Sequence, residues 1–368
     1  MIQEILNFLF ALAKKISNLI SQFLNRSQTL HFEHGPTVTI HQKIAEGGFS
    51  YIYTATDSLG RSYALKRMMC NDDEMMEACR KEVDVHRNVR GDHVLHLYNV
   101  KYTPAGGNAM MCYMLFPLIT GGSLRDEVNK RKLLSDDLGI IRTMKERQVL
   151  TLFKGVLKGV KSLHDAGYAH CDVKLENVLL DLPSAKSNSF GDDEMGFSMS
   201  QLREPGKPIL MDFGSARQLV IQLKDRRTVL RVTEEASQNS TISYRAPELF
   251  DGGCRHGSLE ADIDGKIDVW SCGCLLYGLM YGTSPFEMEF RNDGSVRIVD
   301  CTHLRILGGK IPKPPAKRVS VYQYSPLIHD LVEWILTVDR TERPTLDDVM
   351  DRVESMLTQR SSGVGSFV

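Results

Sequence analysis

The stretch His170-Cys171-Asp172-Val173-Lys174-Leu175-Glu176-Asn177 packs a carboxylate, an ammonium and a carboxamide between Asp172 and Asn177. Taken alone, a charged run of this kind is more often a solvated loop than a site. Its weight comes from what stands around it, in order. Upstream are KIAEGGFSYIY at residues 43–53, Tyr63-Ala64-Leu65-Lys66, and Glu82; downstream are Asp212-Phe213-Gly214 and Ala246-Pro247-Glu248. An ordinary glycine hairpin accounts for the first of these, and a surface ion pair for Lys66 with Glu82. Neither accounts for all of them in one chain and one order.

The chain has 368 residues, 42% hydrophobic and 25% charged, enough to bury a sizeable core in two domains or in one two-lobed enzyme. A formal net charge of -1 gives no global reason to expect nucleic acid as a partner. The cysteines, Cys70, Cys79, Cys112, Cys171, Cys254, Cys272, Cys274 and Cys301, are scattered and include no C-x-x-C pair. That argues against a zinc ribbon or a thioredoxin-like site, and for reduced thiols in a cytosolic-facing protein.

Residues 1–26 differ from the rest. On a helix, Ile2, Ile5, Leu9, Leu12, Ile16, Leu19, Ile20 and Phe23 share one face, while Glu4, Asn7, Lys14, Asn18, Gln22 and Asn25 fall largely on the other. An amphipathic helix is expected there. Its uninterrupted apolar run, residues 8–13, is far short of the ~20 residues that cross a bilayer. No basic region and cleavage site mark a signal peptide. Residues 27–37 read as a polar linker. Residues 38–116 then read as short strands with one helix over Asp73–Asn88, and from Ser123 onward the helical period takes over, most clearly over 149–166 and 267–280. Residues 183–206, rich in Ser, Gly, Asp and Glu, are expected to be a disordered insert, and 358–368 a flexible tail. The pattern predicts an α+β fold, a β-rich small lobe followed by a mainly α-helical large lobe.

Residues 170–177 match the catalytic loop H-R-D-x-x-x-x-N of eukaryotic protein kinases at each position except Cys171. With Lys66, the D-F-G and A-P-E triplets, the chain resembles that family from residue 38 to about residue 357. The resemblance implies a bilobal kinase fold, with a five-stranded N-lobe over 38–119 and a C-lobe over 120–357. It implies transfer of phosphate from ATP, with Mg2+, to Ser or Thr hydroxyls of protein substrates. It assigns Asp172 to the acceptor hydroxyl, Lys174 to the transferring phosphoryl, Asn177 and Asp212 to magnesium, and Lys66, positioned by Glu82, to the phosphates. A hairpin over phosphates needs glycine where its backbone nears the oxygens and an aromatic cap at its tip. Ile44, Ala45, Glu46, Gly47, Gly48, Phe49 and Ser50 take that place, with Ala45 and Ser50 standing for the family's first and third glycines. Ile52, Ala64 and Leu179 would sandwich the purine. Phe116 looks like the gatekeeper, and Pro117 to Ile119 the hinge, where proline keeps the carbonyl that is needed and Ile119 supplies a donor. Arg343 looks like the structural partner of Glu248. Lys174 and Thr241, the latter expected to bond Asp172 and Lys174, point to serine and threonine as acceptors.

The runs EGGFSY, YALKR, LMDFGSA and TISYRAPELF are similar to those of the Numb-associated kinase family, nearest its branch of small myristoylated and palmitoylated enzymes. That family accepts serine at the place of Ser50 and has a long helical activation segment, for which residues 218–238 suffice. Two features depart from the pattern. Cys171 replaces an arginine that in many kinases clamps a phosphorylated activation loop, which predicts activity without that phosphate. A redox switch at Cys171 stands beside the plainer reading of a buried, inert thiol. Ile2 follows Met1 and the first cysteine is Cys70, so the branch's lipid sites have no counterpart. The amphipathic helix is expected to hold a membrane surface in their stead, with packing on a protein surface as the alternative. The resemblance implies a cytoplasmic enzyme, peripheral on Golgi or other endomembranes. Ser366-Phe367-Val368 fits a ligand of a PDZ domain weakly, with a plain tail as the simpler reading. Glu176 either reads a basic residue near the acceptor or is a solvated loop charge. A non-catalytic scaffold of the same fold would lack Lys66, Asp172 or Asp212, and all three are present.

Overall fold

The computed structural model describes residues 28–133, 144–182, 206–223, 225–251, 262–292, 295–315 and 324–362. The expected helix over 1–26, nearly all of the 183–206 insert and the terminus at 366–368 lie outside those residues. The chain divides into two compact units: residues up to Cys79 together with His96–Leu118, and Arg80–Leu95 together with the residues from Ile119 onward.

The first unit is built on strands β1 (Thr29–His31), β2 (Thr37–Glu46), β3 (Ser50–Asp57), β4 (Ser62–Cys70), β5 (Asn99–Gly106) and β6 (Ala109–Pro117). They form one antiparallel sheet in the order β1-β2-β3-β4-β6-β5. Register decides what each face carries. Ile52 pairs with Lys66, Lys66 with Met114, and Ala64 with Phe116. Directly paired residues, and residues two apart, share a face. Ile52, Ala64, Lys66 and Phe116 therefore stand on one side of the sheet. Tyr63, Leu65, Tyr113 and Leu115 take the other, where Leu30, Phe32, Val38 and Ala55 complete a buried core.

One expectation is corrected here. Residues 27–37 are not simply a linker: β1 adds an edge strand to the five, β2 to β6, that the resemblance implies for the N-lobe. The cause is burial: Leu30 pairs with Val38, and Phe32 is fully enclosed at 0% exposure. The exposed His31 between them ties its Nδ1 to Thr37 Oγ1 at 2.8 Å.

Helix α1 (Asp73–Asn88) begins in the first unit and ends in the second, with Asp73 and Glu74 in its first turn and His86 and Arg87 in its last, as the helix dipole favours. The second unit holds helices α2 (Leu124–Leu133), α3 (Glu146–Asp165), α4 (Arg226–Asn239), α5 (Lys266–Tyr281), α6 (His303–Leu307), α7 (Pro326–Ile335) and α8 (Leu346–Ser362). Short strands punctuate them: β7 (Tyr168–Ala169) pairs with β10 (Arg217–Gln218), β8 (Val178–Asp181) with β9 (Lys207–Leu210), and β11 (Met288–Phe290) with β12 (Val296–Ile298). In α3 the buried positions Val149, Phe153, Val156, Val160 and Leu163 recur every three or four residues, one stripe on a helix. In α5 every residue from Ile267 to Tyr281 is buried, so this helix is the axis of the core. The expected Arg343–Glu248 pair is present and bidentate, at 2.8 and 2.9 Å, with Arg343 stacked over Trp270. The last helix continues to Ser362, beyond the tail boundary read at residue 357. Asp181 pairs with Lys207, so the two ends of the insert are pinned side by side. Among the described residues, no helix is long and apolar enough to cross a membrane.

The role of β1 is testable. Phe32→Ala is expected to lower the unfolding free energy by about 3–5 kcal/mol, as for other buried aromatics, in chemical denaturation. Leu59→Ala, at a residue 76% exposed, should change it by less than about 0.5 kcal/mol.

Candidate active site

The site is organised from below by one buried carboxylate. Asp268, near the start of α5, is 0% exposed. Its Oδ2 accepts from the backbone N–H of His170 at 2.7 Å and lies 2.9 Å from His164 Nε2; its Oδ1 accepts from the backbone N–H of Cys171 at 2.8 Å. Burial alone would raise the acid's pKa. The hydrogen bond and charge of His164, with His170 and the Cys171 N–H, outweigh burial and hold it below its ordinary value. Two successive N–H groups can reach one carboxylate only if the chain turns sharply, and Cys171 adopts φ 67°, in the left-handed region. Asp212 is the other non-glycine residue with positive φ among those described, at 64°. Backbone strain of this kind gathers at functional sites, and here both instances flank the same chemistry.

That turn presents Asp172. Its Oδ1 accepts from Thr241 N at 2.9 Å and from Thr241 Oγ1 at 2.8 Å. Its Oδ2 accepts from Lys174 Nζ at 2.6 Å and from Asn177 Nδ2 at 3.1 Å. Lys174 Nζ also donates to Thr241 Oγ1 at 2.8 Å, closing a triangle of Asp172, Lys174 and Thr241. Four donors from three other residues leave the carboxylate little rotational freedom. The 3-10 turn Ile242–Tyr244 that follows Thr241 is fastened in turn by Ser271 Oγ on Tyr244 O (2.8 Å) and Ser284 Oγ on Ser243 O (2.6 Å).

Asn177 and Asp212 are brought together through the backbone. Met211 N–H donates to Asn177 O at 2.9 Å, and His170 Nε2 lies 3.1 Å from Met211 O, so Asp212 follows a residue held on both sides. Asn177 commits its amide nitrogen to Asp172 O (2.9 Å) and Oδ2, which leaves its amide oxygen as the atom for a cation. A carboxylate and a carboxamide oxygen make a donor set that suits a hard cation such as Mg2+. A Cβ added at Gly214 would meet Asp212 Oδ1 at 3.6 Å and Glu82 Oε2 at 3.7 Å, so both carboxylates border this glycine. Glu82 is 3% exposed, and its Oε1 lies 3.9 Å from His86 Nε2. Phe213 packs between His86, tilted 34° with centroids 4.3 Å apart, and His170, edge to face at 5.7 Å.

In the first unit, Ile44, Ala45 and Glu46 end β2, and Gly47, Gly48 and Phe49 form the turn into Ser50 of β3. Gly47 N–H donates to Ser50 O at 2.8 Å, while Phe49 is 73% exposed at the tip. A Cβ at Gly48 would meet nothing within 4 Å. Packing within the chain therefore does not require glycine there. Lys66, Ala64, Ile52 and Phe116 share the sheet face described above, and Pro117 closes β6. In the second unit Ile119 is half-buried, and Leu179 lies in β8, bridged to Ser123.

Some of the site was not read from the sequence. Asp268, His164 and the His86–Phe213–His170 ring cluster were missed. A lone acid inside the apolar run 267–280 is the one signal that could have found Asp268. Cys171 is 8% exposed with its Sγ 3.7 Å from Ala169 O; burial first, then the charge of Asp268, push its thiol well above the ordinary range. That favours the inert thiol over the redox switch. Glu176, 44% exposed, is an engaged charge: Arg125 Nε donates to its Oε1 at 2.7 Å.

Comparison with known proteins agrees with this geometry. Residues 38–353 match the protein kinase domain family. Serine/threonine-protein kinase 16 of Rattus norvegicus is 34% identical over 321 residues, covering 86% of this chain and 88% of that protein; the Homo sapiens protein of the same name is 33% identical over the same shares. Serine/threonine-protein kinase ENV7 of Saccharomyces cerevisiae is 24% identical, over 87% of this chain and 92% of its own. With the Asp172–Lys174–Thr241 triangle in place and this likeness along most of its length, the chain belongs to the protein kinase domain family and is a serine/threonine protein kinase, similar to serine/threonine-protein kinase 16.

Proposed function

We propose that the chain transfers the terminal phosphoryl group of ATP, with Mg2+, to serine and threonine hydroxyls of proteins, without waiting for phosphate on its activation segment, and that residues 1–26 hold it on a membrane surface. The observation that carries the catalytic part is the Asp172 carboxylate, oriented by Thr241, Lys174 and Asn177. Bound ATP with its magnesium supplies the phosphoryl group and offsets its charge. Asp172 receives the acceptor hydroxyl, fixes its direction and takes its proton as the new O–P bond forms and the bond from the terminal phosphorus to the leaving ADP breaks. Lys174 brings a cation to the same place. Asn177 and Asp212 would hold the metal, and Lys66, Glu82 and the 44–50 turn keep the assignments implied by the resemblance.

Independence from activation-loop phosphate is supported by how α4 is held. Its first turn is capped by Asp225, whose Oδ1 accepts from Thr228 N at 2.7 Å and Thr228 Oγ1 at 2.9 Å. Its last carbonyls receive donors from the chain itself. Ser215 Oγ bonds Asn239 O at 2.6 Å, and Arg245 bonds Ser240 Oγ and Ser240 O, each at 2.9 Å. Arg217, beside Cys171, pairs with Glu235 of α4 at 3.3 Å. A carboxylate of the helix thus occupies a guanidinium next to the catalytic loop, where a phosphate would otherwise be the partner. Membrane attachment is supported by the two-faced pattern of residues 1–26, and an endomembrane address by family resemblance.

Three outcomes are expected. In a radiolabel assay with ATP and Mg2+, Asp172→Asn lowers kcat about a hundred- to ten-thousand-fold; equal rates from wild type and variant would mean that Asp172 does not act on the acceptor. Phosphatase-treated enzyme, shown by mass spectrometry to carry no phosphate on residues 218–241, keeps its activity, and a loss restored by rephosphorylation would contradict that. Full-length protein floats with anionic phospholipid vesicles and the chain lacking residues 1–26 does not; equal flotation would remove the helix from membrane binding.

A further inference from the structure

Glu176 lies on the 3-10 turn Leu175–Asn177, the same turn that carries Asn177. Arg125, at the start of α2, meets it there and is anchored by three acceptors. Nε donates to Glu176 Oε1 at 2.7 Å, Nη1 to Gly282 O at 2.7 Å, and Nη2 to Tyr244 OH at 3.4 Å. Tyr244 ends the turn entered through Thr241, whose N–H and hydroxyl are bonded to Asp172. The pair is therefore tied, on both of its sides, to elements that hold Asp172. Extended chain advances about 3.3–3.6 Å per residue, so a peptide whose hydroxyl reaches Asp172 carries its neighbouring side chains past Glu176, which is 44% exposed.

We propose that Arg125 determines the charge preference of this kinase beside the acceptor residue, by neutralising Glu176 so that the enzyme does not select lysine or arginine there. This rests on the reading of Asp172 as the residue that receives the acceptor. A bare carboxylate at this place would attract a basic side chain; one already bonded to a guanidinium presents no net charge. Three acceptors on Arg125 keep it from swinging aside for a competing cation. Other acids of the vicinity are also engaged: Asp126 Oδ2 accepts from Ser123 N and Oγ, both at 2.8 Å, and Glu287 accepts from Thr283 Oγ1 at 3.0 Å. The Oε2 of Glu176 is buried, without a hydrogen-bond partner among the described residues, so a substrate meets a carboxylate whose other oxygen already bonds Arg125.

The test is a degenerate peptide library around a fixed serine, phosphorylated with ATP and Mg2+ by the full-length wild type, Arg125→Gln and Glu176→Gln. The wild type is expected to show no enrichment of basic residues at the flanking positions. Arg125→Gln should enrich lysine and arginine at one of them by about three- to tenfold, and Glu176→Gln should enrich aspartate and glutamate at that position by a similar factor. A wild type that selects basic residues there would overturn the proposal, as would a folded, active variant of either kind with the wild-type profile. The two substitutions lie on different elements, so failure of one to fold, seen in its melting curve, leaves the other to decide. Peptide phosphorylation that survives Asp172→Asn would instead sink the underlying assignment of Asp172.

Discussion

A carboxylate buried in the first turn of an apolar helix holds the active loop of this protein in place. Asp268 is enclosed completely, and such a group is tolerated only when its oxygens are hydrogen-bonded. Here the donors are His164 and the consecutive N–H groups of His170 and Cys171. The left-handed turn at Cys171 follows from that demand, and the direction of Asp172 follows from the turn. His170, set by the same carboxylate, reaches the carbonyl just before Asp212 and meets Phe213 edge to face. The ends of the site that we assign to the acceptor and to the metal thus share one anchor in the core.

The same construction explains why Cys171 does not signal a broken enzyme. The position needs a residue that tolerates a sharp turn and contributes its N–H, which a small buried side chain does. Beside it, Arg217 pairs with Glu235 of α4, a helix whose first turn is capped by Asp225, and our proposal of activity without activation-loop phosphate rests on these contacts. Around the acceptor, Arg125 and Glu176 cancel one another, so the charge of the substrate groove is set by a pair and not by either residue.

What was legible in the sequence follows the range over which each interaction acts. The helix expected over Asp73–Asn88 is found with those bounds, because period and local charge are written within one segment. The order of Lys66, Glu82, Asp172, Asn177 and Asp212 was legible because the residues recur in a known spacing. Strand β1 was hidden: it shows only Leu30 and Phe32 in a polar setting, and its meaning depends on Val38 across a turn. Arg125 with Glu176, and His164 with Asp268, were hidden for the same reason at greater distance. Nothing near either partner in the chain announces the other. The long α4 was legible as a length, while the groups that hold its last turns come from two separate segments, one with Ser215 and Arg217 and one with Arg245.

The central claim is that Asp268 sets the geometry in which Asp172 works. The most direct measurement is kcat for Asp268→Asn, with folding checked by a single cooperative melting transition. Asparagine offers one acceptor oxygen where the carboxylate offers two, so one loop N–H loses its partner and the turn at Cys171 relaxes. The account predicts a folded variant whose kcat falls by about a hundredfold or more, the scale of a small misplacement of catalytic groups. A folded variant with the wild-type kcat would contradict it.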